Sequence, residues 1–427
     1  MLVDLTALTH KLRTACLPDT WQQIKRCDVL LFRSDINCGY QYMGKAYSPL
    51  YDSMGDLFTN RGLVVSSVAK HFAKLIGEKA HNSPVSYNRA ALVQATFRRF
   101  GTKGMTWANE QWQYLWERIL DRAKPYCVIG SQPKFGLCRA GKVKGVRVYD
   151  LQHGVIADEH LWYGKKCRFG LSAKDLPDGF LCWDESSAEA LRKWAPQKDI
   201  DVRVVGNPWF LRFLVKDPGD SLVQEALLTG QIFSNEKPVI LISLQWGLDL
   251  YYKNNDFNGV MVDALEKTIL ETADTYNWLF RLHPVQLRGP EKDRVQNYLS
   301  RTFGHLTSVE WKKCSETALP IVLQQVDLHI TEHSTVVVEA GWMGISSALL
   351  NSHICSGGRL ENIYSHERGL GMAEVLKHDK NIIKQWIEKT LNKGRGKSTL
   401  KNASQNFYKF IDEVVDAAQK KYLNRNI

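Results

Sequence analysis

The chain has 427 residues, 44% of them hydrophobic, and a formal net charge of +11. That length and apolar content suffice for two α/β domains with full cores. No apolar run reaches the length of a membrane span, and the first residues, with Asp4 and no clean apolar core, do not read as a secretion signal. Nine cysteines stand singly with no C-x-x-C pair, which argues against a disulfide framework or a zinc site and for a reducing cytoplasm. The positive charge asks for an anionic partner; with no nucleic-acid motif in sight, a membrane surface or an anionic substrate is favoured.

In chain order, Cys27–Arg33 (CDVLLFR) reads as a first strand, opening into a long polar loop, Ser34–Pro49. A loop of that length after a first strand is functional more often than not. Asp35 at its start is a candidate catalytic base or, equally, the head of an Asx-turn. Helical patterns follow over Leu50–Gly62, Val68–Ile76 and the Trp-rich Trp107–Ala123. Tyr126–Gly130 is a strand, Gln132–Gly145 a helix-like crossover, and Val146–Leu151 a strand ending in Gln152-His153-Gly154. His153 is a candidate general base for an acceptor hydroxyl or a structural residue. Asp158 and Glu159, one short loop further on, are candidate acid or base groups or simply solvated carboxylates. PDGFLCWDESSAEALRKW and DVRVVGNPWF continue the strand–helix alternation that marks a doubly wound parallel sheet. Asp199-Ile200-Asp201, the D-x-D of the chain, precedes a strand and so stands at the wrong end of the sheet for a metal; no metal is expected.

A polar stretch from Lys216 to Lys237 marks the interdomain connection, giving an N-terminal domain over 1–220, a second over 221–400 and a final helix over 401–427. Alternation restarts at Pro238–Ser243 (PVILIS). In the loop behind it, Gln245 is a candidate ligand of a donor sugar or base. Asp249 is a candidate carboxylate for a covalent, retaining route, or a turn residue; inversion and retention both stay open. Trp278–Pro284 (WLFRLHP) puts His283 at a strand's carboxyl end, where ligands of open sheets bind, with Pro284 fixing the chain direction. Val326–Gly344 (VDLHITEHSTVVVEAGWMG) is a strand that turns through Glu332-His333-Ser334-Thr335 into a helix capped by Ser334 or Thr335. Unpaired backbone N–H groups and the helix dipole make that turn an anion site, above all for a phosphate, and Glu339 one turn on suits a ribose diol. The tail from Asn381 is basic and helical, broken at Gly394 and Gly396. Its apolar face, Phe407, Phe410, Ile411 and Val414, is most simply core, with docking on anionic lipid as an added role.

LQHG (151–154), VVGNPWF (204–210), RLHP (281–284) and TEHSTVVVEAG (331–341) together resemble the strand-end motifs of bacterial surface-polysaccharide glycosyltransferases. They are similar in particular to capsule and O-antigen enzymes that use CMP-activated sugars, the sialic-acid and Kdo transferases. The resemblance implies an α/β fold of GT-B type: two Rossmann-like domains facing a central cleft, with a C-terminal helix crossing back to brace the first. It implies that His283 and Ser334/Thr335 hold the donor phosphate, with His333 beside them and Glu339 on the ribose. This chain has His-Ser-Thr where sialyl-type enzymes carry Ser-Ser. His153-Gly154 resembles the His-Gly motif of CDP-glycerol polymerases, whose His is assigned as the base.

The expected function is therefore transfer of a CMP-activated acidic sugar, such as Kdo or another nonulosonic acid, onto a lipid-linked or oligosaccharide acceptor. No cofactor is needed beyond the nucleotide sugar. The place is the cytoplasm or the cytoplasmic face of the inner membrane. A CDP-glycerol or ribitol-type polyol-phosphate transferase and a non-catalytic sugar-nucleotide-binding protein are the alternatives.

Overall fold

The computed structural model describes residues 14, 17–157, 160, 162–168, 170–248, 252, 257–398 and 403–423. The chain divides into two compact units, Met1–Leu211 with Ala403–Ile427, and Arg212–Asn402. Each is built on a six-stranded sheet in which all strand pairs are parallel.

The first unit contains β1 (Val29–Arg33), a hairpin of β2 (Tyr40–Tyr42) and β3 (Lys45–Tyr47), then β4 (Val65–Ala69), β5 (Cys127–Gly130), β6 (Arg147–Leu151), β7 (Gly179–Cys182) and β8 (Asp201–Val204). Its sheet order is β4-β1-β5-β6-β7-β8, so the direction of winding reverses between β1 and β5. The fully buried strands β1, β5 and β7 read as largely apolar runs, as strands covered by helices on both faces do. Leu30, Phe32, Val128 and Val148 pack on Leu115, Trp116, Ile119 and Leu120 of the helix Gly101–Ala123.

Two expectations are corrected here. Val68–Ile76 is not a helix: Val65–Ala69 pairs with β1, Val68 opposite Phe32, and the β-branched Val65 and Val68 suit that partly buried edge. The loop after β1 is also more ordered than its composition promised. A 3-10 turn, Asp35–Asn37, leads into β2 and β3, joined by Met43 and Gly44, both at positive φ as a tight two-residue hairpin requires.

The second unit contains β9 (Val239–Ser243), β10 (Asn277–Arg281), β11 (Val309–Glu310), β12 (Leu328–Thr331), β13 (Ser346–Leu349) and β14 (Ala373–Val375). Their order, β11-β10-β9-β12-β13-β14, is the 3-2-1-4-5-6 arrangement of dinucleotide-binding folds, with the switch point between β9 and β12. Ile240, Ile242, Trp278, Phe280, Leu328 and Ile330 form the centre of one core with Val295, Leu299 and Phe303 of the helix Gly289–Phe303.

The tail forms two helices, Lys380–Lys393 in the second unit and Ala403–Leu423 in the first. Phe407, Phe410, Ile411 and Val414 are buried, with Phe410 edge-on to Tyr149 at 5.8 Å, so that face is core and unavailable to lipid. Among the described residues no helix is long and apolar enough to cross a membrane.

Candidate functional site

The carboxyl ends of β9, β10, β12 and β13 carry a connected set of polar groups. His283 heads the 3-10 turn Pro284–Leu287 in a reciprocal cap: its Nδ1 accepts the Val285 N–H (3.2 Å) and its own N–H goes to Gln286 Oε1 (2.8 Å). Pro284 supplies the first position of that turn. Because Nδ1 is an acceptor, the ring proton sits on Nε2. Burial, then the Arg288 cation, pushes the imidazole down to about 4, so at neutral pH His283 is an uncharged N–H donor.

Gln286 donates to the Gln245 carbonyl (3.0 Å), and Gln245 Oε1 accepts the His333 N–H (2.7 Å). The loops after β9, β10 and β12 are thereby tied into one shelf across the switch point. Thr331 reinforces it, donating to the Ser243 carbonyl (2.8 Å) and receiving the Ser334 N–H (3.3 Å). His333 is oriented as His283 is. Asn351 uses Oδ1 for the His353 N–H (3.0 Å) and offers Nδ2 to His333 Nδ1 (2.9 Å), while Tyr364 donates to the His333 carbonyl (2.7 Å). Burial, with Arg359 and His353, holds His333 down to about 4.

The cap position falls at Thr335, one of the two residues expected there, but no side-chain cap forms. Thr335 has helical backbone angles, and Ser334 Oγ reaches only the Val336 N–H at a long 3.4 Å. The helix Val336–Trp342 is only seven residues, so the donor power of this turn lies in the hydroxyls and ring N–H groups more than in a helix dipole. Glu339 is buried and pushed up to about 8 by that burial, against the pull of Arg281. Glu332, which the sequence reading passed over, is buried, receives the Tyr252 hydroxyl and is raised to about 7 by burial. Trp246, half exposed, lies with its ring 6.2 Å from that of His283.

In the first unit the residue after β6, Gln152, accepts the Trp183 N–H (2.7 Å) and donates to the Gly154 carbonyl and Ser187 Oγ (both 3.0 Å), fixing the Gln-His-Gly loop on β7. His153 Nδ1 lies 2.8 Å from the Tyr163 hydroxyl. Burial, with His160 and Lys70, pushes His153 down to about 3. The more telling pair was missed from sequence. Asp150, in β6, is buried and raised to about 7 by burial, although it accepts the Gln132 N–H (3.1 Å) and Trp162 Nε1–H (2.5 Å). Lys70, just past β4, is lowered to about 8 by burial and then by Lys134. Asp35 Oδ2 accepts the Lys74 (2.7 Å) and Leu75 (3.2 Å) N–H groups, so these bonds tie down a loop distant in sequence and are not those of an Asx-turn. Asp158, Glu159 and Asp249 lie outside the described residues.

No protein-family model matches the chain, and no curated protein sequence does either. Solved structures do resemble it. UDP-GlcNAc 2-epimerase from Neisseria meningitidis, bound to UDP-GlcNAc, matches with a TM-score of 0.53 at 12% identity, over 91% of this chain and 100% of that one. The same enzyme from Methanocaldococcus jannaschii, in complex with UDP-GlcNAc and UDP, gives 0.53 at 12%, over 89% and 98%. The wall teichoic acid polymerase TagF, soaked with CDPG, gives 0.51 at 12%, over 98% and 99%. At such identity the likeness is one of fold. Two Rossmann-like units, each on a six-stranded parallel sheet, give this chain the GT-B fold.

Proposed function

We propose that the chain is a GT-B transferase that binds a nucleotide-activated donor at the β9/β10/β12 ends and passes the activated group to a surface-glycan acceptor. The observation that carries this reading is His283: a neutral ring whose Nε2–H has no partner among the described residues, held at the strand ends by a reciprocal cap. A leaving nucleotide phosphate gains negative charge as its bond to the transferred group breaks. Fixed donors aimed at it stabilise the transition state more than the ground state. His283 Nε2–H and the hydroxyls of Ser334 and Thr335 are those donors in our reading, with His333 beside them. Gln245 keeps its side-chain Nε2 for the donor, since its two oxygens are already used by Gln286 and His333. Glu339, mostly protonated near neutral pH, meets the ribose diol without burying a charge. Trp246 offers an exposed indole face for a base.

In the first unit, His153 is the proposed base, with Nδ1–H given to Tyr163 and the Nε2 lone pair left for the acceptor hydroxyl. The role requires bound substrate to raise its pKa from about 3. The favoured donor is a CMP-activated acidic sugar, on the motif resemblance, and no metal is required in this scheme. A CDP-polyol donor is the second reading, favoured by the His153-Gly154 loop and by a fold shared with a teichoic acid polymerase along nearly the whole chain. Incubation with CMP-Kdo, CMP-sialic acid, CDP-glycerol and UDP-GlcNAc, followed by ³¹P NMR, separates them. Release of CMP from a CMP-sugar supports the first and from CDP-glycerol the second; no turnover with any donor, alongside tight nucleotide binding, leaves a non-catalytic binding protein.

A further inference from the structure

The first unit presents a surface that the nucleotide chemistry does not use. The helices Asn88–Phe97 and Gly101–Ala123 meet at a corner formed by Arg98, Arg99 and Phe100. Gly104 closes it: a Cβ there would lie 2.2 Å from the Phe97 carbonyl, so the helices could not approach as they do with any other residue. The closed corner holds its side chains outward. Val93 (49%), Phe97 (42%), Phe100 (68%), Met105 (49%) and Trp107 (36%) are all exposed. The Phe97 ring lies 4.2 Å from that of Trp107 and 5.9 Å from that of Phe100, which makes the patch continuous. A contiguous apolar patch of this kind on a protein surface marks an interaction site.

Its charge says what kind. Arg89, Arg98, Arg99 and Lys103 are exposed around the rings, and from Asn82 to Asn109 the sequence contains no Asp or Glu. Lys134, at the start of the helix Phe135–Lys144, is lowered by desolvation and then by the Arg98 cation, so the two positive groups feel each other. An isologous contact with a second copy would set these cations against each other. Anionic phospholipid offers what the patch lacks: a hydrocarbon boundary for the rings and phosphates for the cations.

We propose that the Val93–Trp107 corner is the peripheral docking surface of this protein on an anionic lipid bilayer. Aromatic rings enter the headgroup layer, and Arg99 and Lys103 pair with lipid phosphates. The proposal stands apart from the donor assignment, since the corner shares no residue with the nucleotide shelf.

The test is flotation of the full chain with vesicles of phosphatidylcholine alone and of equimolar phosphatidylcholine and phosphatidylglycerol. The wild type should float with the mixed vesicles, release in high salt and ignore the neutral ones. Arg99→Glu with Lys103→Glu should lower the partition coefficient by at least about 25-fold, since each cation at a lipid surface contributes on the order of a fivefold factor. Separately, Phe100→Ser with Met105→Ser should lower it by about tenfold through lost apolar burial. All four side chains are exposed, so the variants should unfold thermally like the wild type and bind nucleotide equally. Equal flotation with neutral vesicles, no flotation with either, or variants that float like the wild type would overturn the proposal. A concentration-dependent dimer lost in the variants, without lipid binding, would assign the face to a second copy and overturn it too.

Discussion

Burial moves each residue type the same way in both units, lowering His153 as it lowers His283 and His333 and raising Asp150 as it raises Glu332 and Glu339. The difference lies in the partly buried ammonium of Lys70 that accompanies Asp150 in the first unit. At the β9/β12 switch point burial lowers His283 and His333 to about 4, so both rings are fixed as neutral donors throughout the physiological range. In the first unit it raises Asp150 to about 7 and lowers Lys70 to about 8, bringing a base and an acid to the pH where protons move. Desolvation disfavours whichever form is charged. A histidine ordinarily near 6.5 is thereby carried away from neutrality, while a carboxylate and an ammonium are carried toward it. In the proposed scheme the neutral rings of the second unit meet the donor's anion, and the first unit supplies the group that takes the acceptor's proton.

The sharpest way to break that contrast is His153→Ala. Turnover should fall by about 10²–10⁴-fold, the usual contribution of a positioned base, with nucleotide affinity unchanged. Retained turnover would remove His153 as the base and leave Asp150 as the remaining candidate. Next in size is His283→Asn, which keeps an acceptor for the Val285 N–H but lacks the ring donor. Nucleotide affinity measured by calorimetry should drop about tenfold, as for loss of one hydrogen bond to a charged group, with the melting temperature little changed. A third variant, Trp246→Ala, should cost about fivefold in affinity through lost stacking of about 1 kcal/mol. It should cost nothing if the indole only shields His283.

The pH dependence of stability sharpens the comparison further. Glu339, raised from 4.5 to about 8, favours folding while protonated, so its contribution is lost as pH climbs from about 4.5 through 8. The two histidines, lowered from 6.5 to about 4, act in the other direction: stability is lost as pH falls through that window, because the unfolded chain takes up the protons. Glu339→Gln should therefore melt increasingly above the wild type as pH is raised through neutrality. A constant offset in melting temperature across that range would mean that Glu339 is not held protonated.

Much of the frame was legible because parallel strands buried on both faces are spelled as apolar runs: VLLFR, VILIS, NWLFR and LHIT all fall where such runs stand. Val65–Ala69 was not, since Ser66 and Ser67 interrupt its apolar residues and the stretch beyond it mimics a helical spacing. At the site, the strand-end residues His283, His333 and Ser334 could be picked out by position. Their orienting partners were harder. Gln286 was recoverable in principle as the third residue of a cap headed by His283. Asn351 and Tyr364 reach His333 from 18 and 31 residues away, and nothing local to either announces it. Asp150 and Lys70 escaped for a different reason: their character comes from burial by residues distant in sequence, and a polar residue near a strand end has no mark of its own.

The account depends most on the state of one ring. ¹⁵N NMR of the histidine side chains, recorded between pH 5 and 8 without and with CMP, reads it directly. His283 should be neutral with its proton on Nε2 across that range, following its pKa of about 4, and the Nε2–H resonance should move on nucleotide binding. A proton on Nδ1, or an Nε2 signal indifferent to bound CMP, would contradict the phosphate assignment.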